Sequence, residues 1–221
     1  MRIVAPLRLE ALAVNGTRIG LRARRVPPAD HLVLTGVAGA VVAGLAPGDI
    51  VVADRVVLDG ADDVALPGAA DLAKALRIAG LTVHLGPVGG ADRVVTGPAR
   101  TGWADRGAIA VDMESGVLAR TGRLAAVVRA IVDTPAHPLV SLGTLPRGSR
   151  ALRALRRAAP VLSAWAAGQG DADVRERQAA HVVDITITLP AAKTIKKIVN
   201  YPFNERCGVD FPGSVRSRAG V

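Results

Sequence analysis

Cysteine is almost missing from this chain: Cys207 stands alone among 221 residues. An intramolecular disulfide framework and a cysteine-rich metal site are both excluded. Aromatic residues make up only 2%, so the core has to be aliphatic, built mainly from Ala, Val and Leu. That scarcity also argues against single-stranded nucleic acid as a partner, because such grooves pair cations with exposed aromatic rings. Long apolar runs are missing too. Half of the residues are hydrophobic and the mean hydropathy is +0.32, yet no uninterrupted run approaches the roughly 18 residues of a membrane span. Arg8 and Glu10 interrupt any signal-like segment near the start. A cytoplasmic protein is expected, with no membrane span. The histidines, His31, His84, His137 and His181, are dispersed without ligand spacing, so no metal site is expected.

Positive charge is what the chain has in excess. Lys and Arg number 28 against 19 Asp and Glu, for a net charge of +9. The carriers are mostly arginines at helical spacing, as in "RALRALRRAAP", Arg150 to Pro160. That pattern describes a solvated helix face, and no nucleic-acid partner is read from it.

Short apolar runs rich in Val and Ile recur at Arg2 to Ala5, His31 to Val37, Asp49 to Val57, Thr82 to Leu85, Ala108 to Val111 and Ala126 to Val132. Runs of this kind are strands covered on both faces. Helical segments lie between them. "PGAADLAKALRIAG", Pro67 to Gly80, carries Pro near its start and Gly at its end, as helices do. "SGVLARTG", Ser115 to Gly122, is shorter, and Arg150 to Ala167 presents Leu152, Leu155, Ala159, Leu162 and Trp165 along one side. The alternation predicts an α/β three-layer sandwich, with a mixed, mostly parallel central sheet and helices on both faces. The expected domain covers residues 1–168. Residue usage then shifts: Lys74 is the one lysine before "GQGDADVRERQ", whereas Lys193, Lys196 and Lys197 follow it. Residues 169–221 read as an atypical, loosely structured extension, either a genuine appendage with a strand at Val182 to Pro190 or a segment of unrelated origin.

Three carboxylates stand at the ends of apolar runs: Glu10 after the first strand, Glu114 after the fifth and Asp133 after the sixth. Ligands of open α/β sheets sit outside the carboxyl ends of the strands, so these three are candidate site residues. Asp112, just ahead of Ser115, is a candidate either for the same site or for the cap of the next helix.

With those residues in view, "VDMESGVLA" resembles the Asp-Met-Glu-Ser segment of the purine nucleoside phosphorylase and nucleosidase superfamily, in the methylthioadenosine/adenosylhomocysteine nucleosidase branch. "VRAIVDTPAH" is similar to that branch's Arg-x-Ile-Ser-Asp segment. "LTGVAGAVVAGLAPGDIVVADRVV" resembles its Gly-Val-Ala-Gly strand and the Pro-Gly-Asp strand that follows. "PLRLEAL" resembles the N-terminal segment carrying its Glu. The style of the start is similar to the hopanoid-associated phosphorylase subgroup.

The resemblance implies cleavage of the N-glycosidic bond of an adenosine-type nucleoside, by hydrolysis, in hopanoid biosynthesis. It leaves open a phosphate-dependent phosphorylase, with phosphate as co-substrate, and a damaged homologue that only binds nucleosides. No cofactor is implied; a homodimer is. Glu114 would accept hydrogen bonds from the ribose 2′- and 3′-hydroxyls, with Met113 beside the sugar. Asp133 would protonate N7 of the base as general acid, and Glu10 would activate water. Gly36 and Gly90 are expected to line the substrate site. Two departures bear on the nucleophile. The segment from Ala13 to Asp30 is shortened, and Gly90 stands where a Ser is usual.

Overall fold

The apolar runs at His31 to Val37 and Ala126 to Val132 form the two longest strands of the sheet in the computed structural model, which describes residues 1–136, 144–180, 183–188 and 194–199. Side chains are described in 1–136 and 146–168. His137, His181 and Cys207 lie outside the described residues. In chain order the elements are β1 (Arg2–Ala5), α1 (Arg8–Ala13), β2 (Thr17–Arg18), a 3-10 turn (Leu21–Ala23), β3 (Leu32–Ala40), β4 (Ile50–Val52), β5 (Arg55–Val57), β6 (Val64–Ala65), α2 (Ala69–Ile78), β7 (Val83–Leu85), β8 (Val88–Gly90), α3 (Ala99–Asp105), β9 (Ala110–Asp112), α4 (Ser115–Ala119), β10 (Leu124–Asp133), α5 (Thr144–Ala180), β11 (Val183–Thr188) and β12 (Thr194–Val199).

The chain divides into two compact units, Met1–Asp171 and Ala172–Val221. In the first, the strands form one sheet in the order β6-β5-β8-β9-β3-β10-β4-β7, with β1 and β2 branching from β3. Parallel ladders join β1 to β2 and β3, β3 to β10, β4 to β7, and β8 to β5 and β9. Antiparallel ladders join β3 to β9, β4 to β10 and β5 to β6. This is the mixed, mostly parallel sheet of an α/β sandwich, as the run pattern predicts. Leu32, Leu34, Ile50, Leu72, Leu76, Leu118, Ile131, Leu155 and Leu162 are fully buried. The core is aliphatic. In α5, Leu155, Ala158 and Leu162 face inward while Arg150, Arg153, Arg156 and Arg157 are exposed.

In the second unit, β11 and β12 pair antiparallel from Val183↔Val199 to Thr188↔Thr194. The strand read at Val182 to Pro190 is therefore present, and its partner was not anticipated.

One irregularity positions the site. The same edge of β3 pairs with β1 at Leu32–Leu34 and with β9 at Gly39 and Ala40. Between these ladders the edge is open, and Gly36 sits there at φ +134. A fork in the sheet results. Backbone groups in the fork need side-chain partners, because buried amides and carbonyls cannot be left unpaired.

Candidate active site

Glu10 fills the fork from above. It is the third residue of α1, a helix absent from the sequence reading, which placed Glu10 in the segment after β1. The pattern is inverted: Leu9 and Leu12 are exposed while Glu10, Ala11 and Ala13 are buried. Hydrophobic periodicity therefore points the wrong way. Oε2 of Glu10 accepts the Leu7 N–H at 2.8 Å, which fixes the start of the helix, as an acidic N3 residue does. Oε1 accepts the Val37 N–H at 3.0 Å, satisfying a donor of the open β3 edge. Burial raises the proton affinity of Glu10 above that of an ordinary carboxylate, against the opposing pull of those two amides and Arg129.

Arg129 occupies the middle of β10 and is fully buried. Its Nε–H donates to Asp112 Oδ2 at 2.6 Å, Nη1–H to the Thr35 carbonyl at 2.8 Å and Nη2–H to Glu114 Oε2 at 3.2 Å. Burial opposes its charge, and Asp112, Glu114 and Glu10 outweigh that, so the guanidinium stays protonated. Gly36 is explained by the same arginine. A Cβ at Gly36 would lie 2.5 Å from Arg129 Nη1 and 3.2 Å from Glu10 Oε2. The close approach requires glycine. Gly36 thus lies against the site's side chains and makes room for them.

Asp112 settles into the capping role. Its Oδ1 accepts the Glu114 N–H at 3.0 Å, the Ser115 N–H at 2.8 Å and the Ser115 hydroxyl at 2.7 Å. With Arg129 on Oδ2, the carboxylate holds the start of α4 and orients the guanidinium. Glu114 follows, 3% exposed. Its Oε1 accepts the backbone N–H of Arg22 at 3.0 Å, and its proton affinity is raised, chiefly by burial. Met113 is half-buried beside it. Gly90 ends β8 against α4: a Cβ there would lie 2.4 Å from the Cα of Gly116. A serine at this position would collide with the helix, which accounts for the glycine.

The middle of the shortened segment meets this cluster. Gly20, Arg22 and Ala23 all have positive φ, +78, +56 and +49. Two adjacent non-glycine residues in the left-handed region mark a held, strained turn. Its amides are used internally: Arg22 N–H bonds Glu114, and Ala23 N–H bonds the Gly20 carbonyl at 3.1 Å. The side chains of Arg22, Arg24 and Arg25 are exposed.

Asp133 lies at the far end of β10, 5% exposed. Its Oδ2 accepts from Nη2 of Arg100, whose Nη1 donates to the Ala40 carbonyl. Arg100, 6% exposed, comes from α3. The sequence reading missed Arg100 and assigned no role to Arg129. For Arg129 a signal existed: a cation inside a ten-residue apolar strand is buried only when paired. Glu10, Glu114 and Asp133 are thus arranged around two buried arginines, with Glu114 bonded to Arg129, Glu10 within the field of its charge, and Asp133 held by Arg100. Among the described residues, no group of three His, Cys, Asp or Glu could hold a metal ion. No helix there is long and apolar enough to cross a membrane.

The phosphorylase superfamily model matches residues 18–141, more than half of the chain. Among solved structures, the chain is similar to futalosine hydrolase of Helicobacter pylori, at 17% identity and TM-score 0.56, over 73% of this chain and 94% of that one. It is also similar to the 5′-methylthioadenosine/S-adenosylhomocysteine nucleosidase of Helicobacter pylori, at 18% identity and TM-score 0.55, over 73% and 95%. The S. pneumoniae nucleosidase of the same name aligns at 20% identity and TM-score 0.51, over 72% and 95%. Among curated proteins, none matches by sequence.

Proposed function

The chain belongs to the phosphorylase superfamily, enzymes that cleave glycosyl bonds, and from that premise we propose that residues 1–168 hydrolyse the N-glycosidic bond of a purine ribonucleoside. The observation that carries this reading is a charge surplus. Three buried carboxyl groups, Glu10, Asp112 and Glu114, face one guanidinium, Arg129. Breaking a glycosidic bond builds positive, oxocarbenium-like charge on the sugar. A preorganised negative surplus stabilises that charge in the transition state more than it stabilises the neutral substrate.

The roles follow from position. Glu114 receives the vicinal diol, which suits a carboxylate with two oxygens. Glu10, whose proton affinity burial raises, takes a proton from water as the water attacks C1′. The bond from C1′ to N9 breaks, its electron pair leaves with the purine, and Asp133, which enters the step carrying a proton on Oδ1 while Oδ2 keeps Arg100, delivers that proton to N7; the proton held by Glu10 then returns to solvent, from which Asp133 is reprotonated. Free base and ribose are the products, and no cofactor enters the balance.

Water is favoured over phosphate by the turn at Gly20 to Ala23. An oxyanion site needs free backbone N–H groups or inward cations. Here the Arg22 and Ala23 amides are engaged and the neighbouring arginines point outward. The sequence resemblance extends the reading to an adenosine-type base, a step in hopanoid biosynthesis and a homodimer, and the composition and charge pattern extend it to a cytoplasmic protein with no nucleic-acid partner. Base release measured with and without phosphate is the test. The rate should be unchanged by millimolar phosphate and the sugar product should be ribose. Ribose 1-phosphate would establish the phosphorylase alternative, and no release under any condition would leave a nucleoside-binding homologue.

A further inference from the structure

We infer that the surface made by α1 and the 3-10 turn docks on an anionic lipid bilayer, lying on it without crossing it. The inference is independent of the hydrolase reading above. α1 turns Glu10, Ala11 and Ala13 inward and leaves Arg8, Leu9 and Leu12 outward, with Leu9 at 62% and Leu12 at 67% exposure. Leu7 ahead of the helix and Leu21 in the turn are exposed as well. Of the eight large hydrophobic side chains exposed among the described residues, five are Met1, Leu7, Leu9, Leu12 and Leu21. The two elements are neighbours. Glu10 of α1 and Glu114, which accepts the Arg22 N–H, lie within the field of one guanidinium, Arg129. Backbone bonds from the Ile19 N–H to the Ala5 carbonyl and from the Arg25 N–H to the Ile19 carbonyl tie the turn to the end of β1, from which α1 leads off.

Charge says what covers this surface. Residues 1–29 contain six arginines and a single carboxylate, Glu10, which is buried. The stretch therefore carries more than half of the chain's net charge of +9. Arg8, Arg18, Arg22, Arg24 and Arg25 are exposed, and the first acid after them is Asp30. Leucines exposed singly need no explanation, but several of them beside charge of one sign mark an interaction surface. A nucleic acid would pair with the arginines and give the leucines nothing to enter. A second copy of the chain, docked face to face, would set arginines against arginines. A bilayer with anionic headgroups satisfies both kinds of side chain. Leucines enter the boundary between headgroups and acyl chains, while arginine stems lie along it with their guanidinium groups among the phosphates.

Co-sedimentation of the full chain with vesicles tests this, using phosphatidylcholine alone and phosphatidylcholine mixed with phosphatidylserine. The parent should bind the mixed vesicles, leave the neutral ones, and be released by salt. Each arginine at such a surface is worth about fivefold in partitioning, so Arg24→Gln with Arg25→Gln should lower binding about tenfold or more. Leu9→Gln with Leu12→Gln should lower it by about tenfold, through lost apolar insertion. All four side chains are exposed, so neither pair disturbs the core. Arg153→Gln with Arg156→Gln removes the same charge from the exposed face of α5 and should cost less than about threefold, since charges away from the bilayer are screened. A parent that ignores the mixed vesicles overturns the inference. An equal loss in the α5 pair, or binding indifferent to the leucine pair, also overturns it, because net charge alone then explains the binding. So does a vesicle-free dimer that the leucine pair splits into monomers, which would assign the face to a second copy. Tighter binding to duplex DNA than to the mixed vesicles, unchanged in the leucine pair, would assign it to nucleic acid.

Discussion

The two arginines buried in the candidate site are held very differently, and the contrast shows which part of it is the more firmly fixed. Arg129 is fully enclosed and tied to Asp112, Glu114 and the Thr35 carbonyl. Each of its carboxylate partners is also held by backbone amides: Asp112 by two, Glu114 by Arg22. No member can move without breaking several bonds. Arg100 makes one ion pair and one carbonyl bond. Its partner Asp133 has no backbone donor among the described residues. The Arg129 cluster is tied at every member; the Arg100 pair is held by fewer bonds.

The widest gap between the two should appear in stability. Arg129→Met leaves Asp112 and Glu114 buried without their cation, and breaking such a network costs on the order of 3–5 kcal/mol. At this chain length that is roughly 10 °C in Tm. Calorimetry should show this loss together with loss of activity. A Tm within about 2 °C of the parent would mean that the cluster does not hold the fork.

Asp133→Asn tests the other side. The amide can still donate to N7 but cannot give up a proton in the reaction. Turnover should fall by about 10²–10⁴, while nucleoside binding stays within about tenfold. Turnover within roughly threefold of the parent would remove Asp133 from the chemistry.

The same contrast explains what the sequence reveals. Elements made of contiguous apolar residues were legible: β1, β3, β10, α2 and α4 lie where the runs place them. Glu10, Glu114 and Asp133 were legible because a carboxylate ending a buried run is conspicuous. Residues recruited across the chain were not. Arg100 sits in "ARTGWAD", a short helix without an apolar period, and meets Asp133 33 positions away. The contribution of Arg22 comes from a backbone amide, which no side-chain pattern encodes. The apolar-run pattern does not mark β8, because Gly89 and Gly90 have low strand propensity. They are needed there, since Cβ atoms would strike Trp103 at 2.3 Å and Gly116 at 2.4 Å.

A smaller effect is expected where Glu114 meets the sugar. The parent should favour ribonucleosides over 2′-deoxy analogues by roughly tenfold to a hundredfold, the worth of a hydrogen bond to a charged group. Glu114→Ala should abolish that preference and weaken binding of the ribo form. If the preference persists, the diol is held elsewhere, and the Arg22 amide on Oε1 is simply a structural tie.

The smallest effect concerns Glu10, where stability and activity should oppose each other. Its proton affinity in the folded chain is raised, first by burial, above that in the unfolded chain. The folded state therefore holds the Glu10 proton to higher pH, and stability falls as that proton leaves. The stabilisation is fully present below the ordinary carboxylate value of about 4.5 and is lost as pH rises through the folded value. Each tenfold difference in proton affinity corresponds to about 1.4 kcal/mol, or a few degrees in Tm. Gln cannot ionise, so Glu10→Gln should gain Tm relative to the parent as pH goes from 4 to 8. A general base must be ionised, so parental activity should rise across the interval in which this stability is lost. One proton then accounts for both curves, with one midpoint. A Tm difference flat in pH, beside activity that still rises, would assign the activity limb to another group and remove Glu10 as the base.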